Sequence, residues 1–195
     1  MWISKARLEA FSDGVFAIAI TPLVLDLAVA ASSGHHLLRA LAELWPYYLA
    51  YLTSFATIGL VWLGHHMIVG TITEVDRWLL RINLALLFLV SFLPFPTRLL
   101  GEFIREPSAE RVTAVFYGIW LLLITTALPG MWGYITTGRK LVPDQVPQTE
   151  IDRISRRLEP GLPFYAVTIL LALLVPQVAA GLFLVIAVLA FVRTT

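Results

Sequence analysis

The chain has 195 residues, 58% apolar and 14% charged, with a mean hydropathy of +0.82, which is too apolar for a soluble domain of this size and reads as a multipass membrane protein. A formal net charge of +1 without a basic run gives no footprint for nucleic acid. The lack of cysteine excludes disulfides and thiolate metal sites.

Residues 7–27, RLEAFSDGVFAIAITPLVLDL, form the core of a first span expected over residues 8–30. The run lacks a small-residue cleavage site and holds Asp13, so it reads as retained rather than as a signal peptide. Between residues 14 and 25 there is no charge and one hydroxyl, Thr21. Asp13 at the entrance of such a helix needs a partner or water. Arg7 lies about 120° around the helix from it, so the partner is expected on another helix. With Ile18 set to zero, Pro22, Leu25 and Val29 fall within about 40°, and Asp13 at about 220°. By periodicity alone this apolar stripe reads as lipid-facing or as core packing. Pro22 has no amide N–H, so the Ile18 carbonyl loses its helical partner and a kink is expected there.

Residues 31–44 read as a polar loop in which His35 and His36 are solvated. A second span is expected over 45–69, opened by the aromatic belt of Trp45, Tyr47, Tyr48 and Tyr51. A turn at 73–76 leads to a third span over 78–100, whose last turns are loosened by Pro94 and Pro96. After a charged loop, a fourth span runs over 112–136. Residues 137–160 form a cytoplasmic loop whose EIDRISRRLE segment suits a helix lying against headgroups. The remaining apolar run is too long for one span and divides at Pro176-Gln177, giving short spans over 160–175 and 178–193. The expected fold class is therefore all-α, a single six-helix transmembrane domain. With both termini cytoplasmic, ten of the fourteen Lys and Arg residues lie inside, as the positive-inside rule requires.

His65 and His66 point about 100° apart on a helix and lack a carboxylate at helical spacing, so no metal site is expected. A buried histidine there must hydrogen-bond to another helix. No inverted three-helix repeat suggests a transporter, and no nucleophile with a base suggests an enzyme.

The pattern RxxxFSD, here Arg7, Phe11, Ser12 and Asp13, followed by GVFAIAIT and LVLDL, resembles the first helix of the transmembrane protein 175 family of potassium channels in its prokaryotic, single-repeat form. A looser match continues through Trp62 with His65 and His66, Asn83, and Pro94-Phe95, so the likeness covers about the first half of the chain. It implies a homotetramer of six-helix subunits in the plasma membrane of a prokaryote, with K+ as permeant ion and no cofactor. It also implies that the first helix lines the pore, with Ile18, Pro22 and Leu25 at an apolar constriction and Thr21 in a neighbouring layer. Arg7, Phe11, Ser12 and Asp13 become structural support, held with the help of His65. Asn83 and His66 either join that polar network or face water. Where relatives usually read TLLVL this chain reads TPLVL, and the proline either alters the constriction or merely bends the helix. No TVGYG-like run is present to replace a hydration shell, so modest selectivity is expected. The alternative is a proton-conducting or proton-coupled carrier using Asp13, Asp26 and His65 as relay groups.

Overall fold

A computed structural model describes residues 4–28, 36–139, 141–158 and 161–194; Val29, His35 and Lys140 lie outside them. The described residues are helical, without strands: α1 Lys5–Ile20, α2 Leu37–Glu43, α3 Trp45–Thr71, α4 Arg77–Phe92, α5 Pro94–Phe103, α6 Glu110–Thr136, α7 Gln148–Arg157, α8 Leu162–Ala172 and α9 Pro176–Thr194. Among the described residues, five stretches are long and apolar enough to cross a membrane: Lys5–Asp26, Trp45–Thr71, Arg77–Phe103, Glu110–Thr136 and Pro176–Arg193. With 11 residues, α8 falls short of a span by itself.

Proline sets several of the boundaries. α1 ends at Ile20, and the chain continues as a 3-10 helix over Thr21–Asp26 with Pro22 in its first turn. The change of helix type follows from the missing amide of Pro22. The stretch expected as one span over 78–100 is divided at Leu93, and α5 begins with Pro94 in its first turn, where no intrahelical N–H is required. α3 and α8 also carry proline at their starts. α4 is capped by Asp76, whose Oδ1 accepts from the Leu79 amide at 2.7 Å while its Oδ2 accepts from the Tyr134 hydroxyl of α6.

The expected loop at 31–44 contains α2 instead. Its 37–43 segment offers Arg39 and Glu43 one turn apart, and their side chains pair at 2.9 Å.

α3 is the central helix and packs against α1, α5, α6 and α9, while α6 packs against α4, α5, α8 and α9. Small residues permit the closest approaches, as is usual where lipid gives helices little hydrophobic reason to associate. A Cβ added at Gly64 of α3 would lie 2.3 Å from Leu128 Cδ2 of α6. At Gly118 of α6 it would lie 2.4 Å from Phe183 Cζ of α9. Deep between α3, α5 and α6, Ser54 Oγ lies 2.6 Å from Thr97 Oγ1 and 2.8 Å from the Tyr117 hydroxyl.

Candidate functional site: the first helix and its supports

The sequence of α1 divides the helix into two faces. Leu8, Ser12, Phe16, Ala19 and, in the 3-10 extension, Leu23 recur at three to four residue intervals and are buried against α3 and α4. The opposite face is bare: Ile18 is 72% exposed and Leu25 74% exposed, with Thr21 also exposed and Pro22 half-buried. The Thr21 hydroxyl donates to the Ala17 carbonyl at 2.9 Å, one turn back.

Polar contacts fix which face is which. The Ser12 hydroxyl donates to the Leu8 carbonyl at 2.8 Å. Its oxygen is thereby free to accept from Asn83 Nδ2 of α4, at 3.0 Å. The Asn83 amide therefore turns its Oδ1 toward His65 of α3, where Nε2 lies 2.8 Å away and must carry the proton. Ser12, His65 and Asn83 are each at most 1% exposed. The chain of donors and acceptors runs through three helices, and the Phe16 ring sits 5.5 Å from the His65 ring beside it.

Around this buried line lies a wetter rim. Trp62 Nε1 donates to Asp13 Oδ1 at 2.9 Å, so the carboxylate finds its partner on α3, one helical turn before His65. Glu9 Oε1 lies 3.5 Å from His66 Nδ1, and Lys5 Nζ donates to the Gly70 carbonyl at 3.3 Å. His66, expected in the network or in water, is exposed on the rim and meets Glu9.

Arg7 stands outside the network. Its side chain is exposed and makes no hydrogen bond or ion pair among the described residues. Geometry explains the departure: about 140° separates Arg7 from Ser12 around the helix, and about 100° separates Phe11 from Ser12. Arg7 and Phe11, the latter 57% exposed, thus share the outward side with Ile18. The motif serves both faces, with Ser12 and Asp13 turned to the subunit and Arg7 and Phe11 away from it.

At the far end of the stretch, Asp26 Oδ1 lies 4.0 Å from Arg98 Nε of α5. Sequence reasoning missed this pair, and it missed the Ser54, Thr97 and Tyr117 cluster. The available signal for the latter is the spacing of Thr53, Ser54 and Thr57 on one side of α3. Among the described residues no group of three or more His, Cys, Asp or Glu side chains is placed to hold a metal ion.

These features define a multipass, all-helical membrane protein whose first helix is locked in rotation by its neighbours and leaves an apolar stripe unpartnered. Residues 7–94 match the family model described as endosomal/lysosomal potassium channel TMEM175. A potassium channel of Chamaesiphon minutus is 38% identical over 185 residues, 93% of this chain and 91% of that one. A potassium channel of Streptomyces collinus is 42% identical over 133 residues, 68% of this chain and 65% of that one. The Gallus gallus protein named endosomal/lysosomal proton channel TMEM175 is 39% identical over 122 residues, 58% of this chain but 24% of its own length. The crystal structure of a lysosomal potassium-selective channel TMEM175 homologue from Chamaesiphon minutus superposes with a TM-score of 0.85 at 37% identity, covering 98% of both chains. The chain belongs to the TMEM175 family, which is a family of ion channels and not of enzymes.

Proposed function

We propose that the protein is a potassium-permeable cation channel, a homotetramer in which four copies of α1 surround the pore. The observation that carries this reading is the bare stripe of Ile18 and Leu25 on a helix whose other face is fully engaged. One copy of α1 cannot enclose an aqueous path, whereas closed cyclic symmetry brings several copies of one stripe together. Ile18, Pro22 and Leu25 then form stacked apolar rings, with the Thr21 hydroxyl in an adjacent layer, and gate by dewetting rather than by offering a ligand shell. The 3-10 segment at Pro22 narrows and lengthens this part of the helix relative to α-geometry, which sets the vertical spacing of the rings. Arg7 and Phe11, on the same outward side, contact neighbouring subunits.

Each subunit crosses the membrane six times, the shortest crossing being α8 with residues 173–175. Supporting this, α8 starts beside α7 and its far end leads to Gln177, which reaches Glu110 at the opposite end of α6. The termini and residues 137–160 face the cytoplasm, and the protein resides in a prokaryotic plasma membrane.

Proton conduction is the second reading. It is favoured by the name of the animal relatives, endosomal/lysosomal proton channel, and by two titratable groups at the seam of α1 with its neighbours, Asp13 on α1 and His65 on α3.

The test is ion flux into liposomes holding the purified protein, under a potassium gradient and then a sodium gradient, for wild type and Ile18→Asn. Wild type is expected to pass potassium faster than sodium, and the variant to lose that preference by up to about tenfold, a change of about 1.4 kcal/mol in relative barrier height. An assembled tetramer that passes neither ion but dissipates a pH gradient would replace this reading with the proton one.

A further inference from the structure

A cavity of about 860 Å³ lies at the α7 end of the bundle, walled by α3, α6, α7, α8 and α9. Unequal helix lengths produce it. At 1.5 Å per residue α8 is about 16 Å long and α9 about 28 Å. The two are joined at the opposite end through residues 173–175, close to the contact of Gln177 with Glu110. The shortfall of α8 therefore falls at Gly161, beside the arginine-bearing end of α9. α7 borders the gap through Arg153, Arg156 and Arg157, while its Ile151 and Ile154 are buried in the core; it is fastened by the Trp132 indole N–H, which donates to Ser155 Oγ at 2.9 Å.

The cavity has two chemically distinct parts. Leu60, Leu162, Phe164, Ile186 and Leu189 line its walls. Phe164 and Leu189 are 64% and 54% exposed, so the apolar lining runs out onto the outer surface of the helices. Arg153, Arg156, Arg157 and Arg193 stand around the mouth. Arg153 is neutralised by Glu150 one turn away on α7. Among the described residues, Arg156, Arg157 and Arg193 have no carboxylate within ion-pair distance, and Arg157 reaches only the Met67 sulfur at 3.9 Å.

Three guanidinium groups without a carboxylate partner among the described residues, above an apolar slot, call for a ligand that is anionic at one end and apolar at the other. A free anion would leave the walls empty, and an apolar polypeptide would leave the arginines without counter-charge. Guanidinium donors match phosphate oxygens in pairs, and basic groups at the bilayer surface attract acidic lipid. We propose that this cavity binds one anionic phospholipid, its phosphate held by Arg156, Arg157 and Arg193 and an acyl chain lying along Phe164 and Leu189. No residue of α1 lines the cavity, and the proposal goes beyond the channel reading. Its test does not depend on ion flux.

The purified protein in neutral detergent is equilibrated with phosphatidylglycerol or phosphatidylcholine, and retained lipid is counted by native mass spectrometry. Phosphatidylglycerol should be retained preferentially, and excess inorganic phosphate should fail to displace it. Replacing Arg156, Arg157 and Arg193 together by Gln should weaken retention on the order of a hundredfold, from about fivefold per surface arginine. The matched triple replacement of Arg81, Arg105 and Arg111 should leave it unchanged. Leu189→Trp, which fills the slot and keeps every charge, should also reduce retention. Equal retention of the neutral lipid, or displacement by phosphate, overturns the proposal. So does a triple variant that changes subunit number while retaining lipid, since the cavity would then be a contact between copies.

Discussion

Two buried polar clusters hold this bundle together, and they are built differently. One runs from Leu8 and Ser12 through Asn83 to His65, joining α1, α4 and α3. The other joins α3, α5 and α6 through the hydroxyls of Ser54, Thr97 and Tyr117. In the first, every group has a fixed direction, because an amide and an imidazole cannot exchange donor and acceptor without turning over. In the second, each hydroxyl rotates to suit its neighbours, and Thr97 and Tyr117 also have backbone acceptors in Leu93 and Ala50, at 2.8 and 3.4 Å. The directional cluster thus specifies the rotation of α1, and hence where the Ile18 stripe points. The hydroxyl cluster supplies cohesion with little orientational information. Removing a member should therefore cost more in the first than in the second.

The largest effect is expected from Asn83→Leu. It strands the His65 N–H and one acceptor site on Ser12 in the apolar interior, and should lower unfolding free energy in mixed detergent by about 2 kcal/mol. The same variant should also erode potassium preference in the flux assay, because α1 is then free to rotate. A variant that is destabilised but fully selective would separate the network from the pore and break the comparison.

Tyr117→Phe should cost about 1 kcal/mol in the same unfolding measurement, since Ser54 keeps Thr97 as partner. Selectivity should be unchanged. A loss as large as that of Asn83→Leu would mean that the hydroxyl cluster is equally directional.

The smallest stability change is expected from Asp13→Asn. The amide oxygen still accepts from Trp62 in a half-exposed position, so the change should stay below about 1 kcal/mol. Assembly or opening should respond more than ion choice, read as tetramer yield and total flux against the potassium-to-sodium ratio. An assembled channel with normal flux and altered ion preference would move Asp13 from the support of the helix to the permeation path.

Much of the organisation of the chain is visible before folding is considered. Mean hydropathy and the five long apolar stretches follow from local composition. Disturbances at Pro22 and Pro94 are expected from the missing amides, whose consequence is felt within one turn, although their form, a change of helix type after Ile20 and a break at Leu93, is seen only in the structure. The need of Asp13 for a partner follows from the cost of desolvating a carboxylate. The shared motif groups residues that the helix separates: Arg7 lies about 120° around α1 from Asp13, as the wheel indicates, and is turned away from the supports that hold Asp13. α2 escaped because a short, amphipathic segment with an Arg39 and Glu43 pair resembles a polar loop in composition.

Sequence alone thus determined the membrane class, the long apolar helices and the two-faced character of α1, since each depends on interactions within a few residues. The tertiary structure alone decided that the partner of Ser12 is Asn83, 71 residues away, that Ser54 meets Thr97, 43 residues away, and that the arginines of α7 and α9 converge over one cavity. Hydrogen bonds between helices depend on the rotation and depth of both, and these are set by packing across the whole bundle.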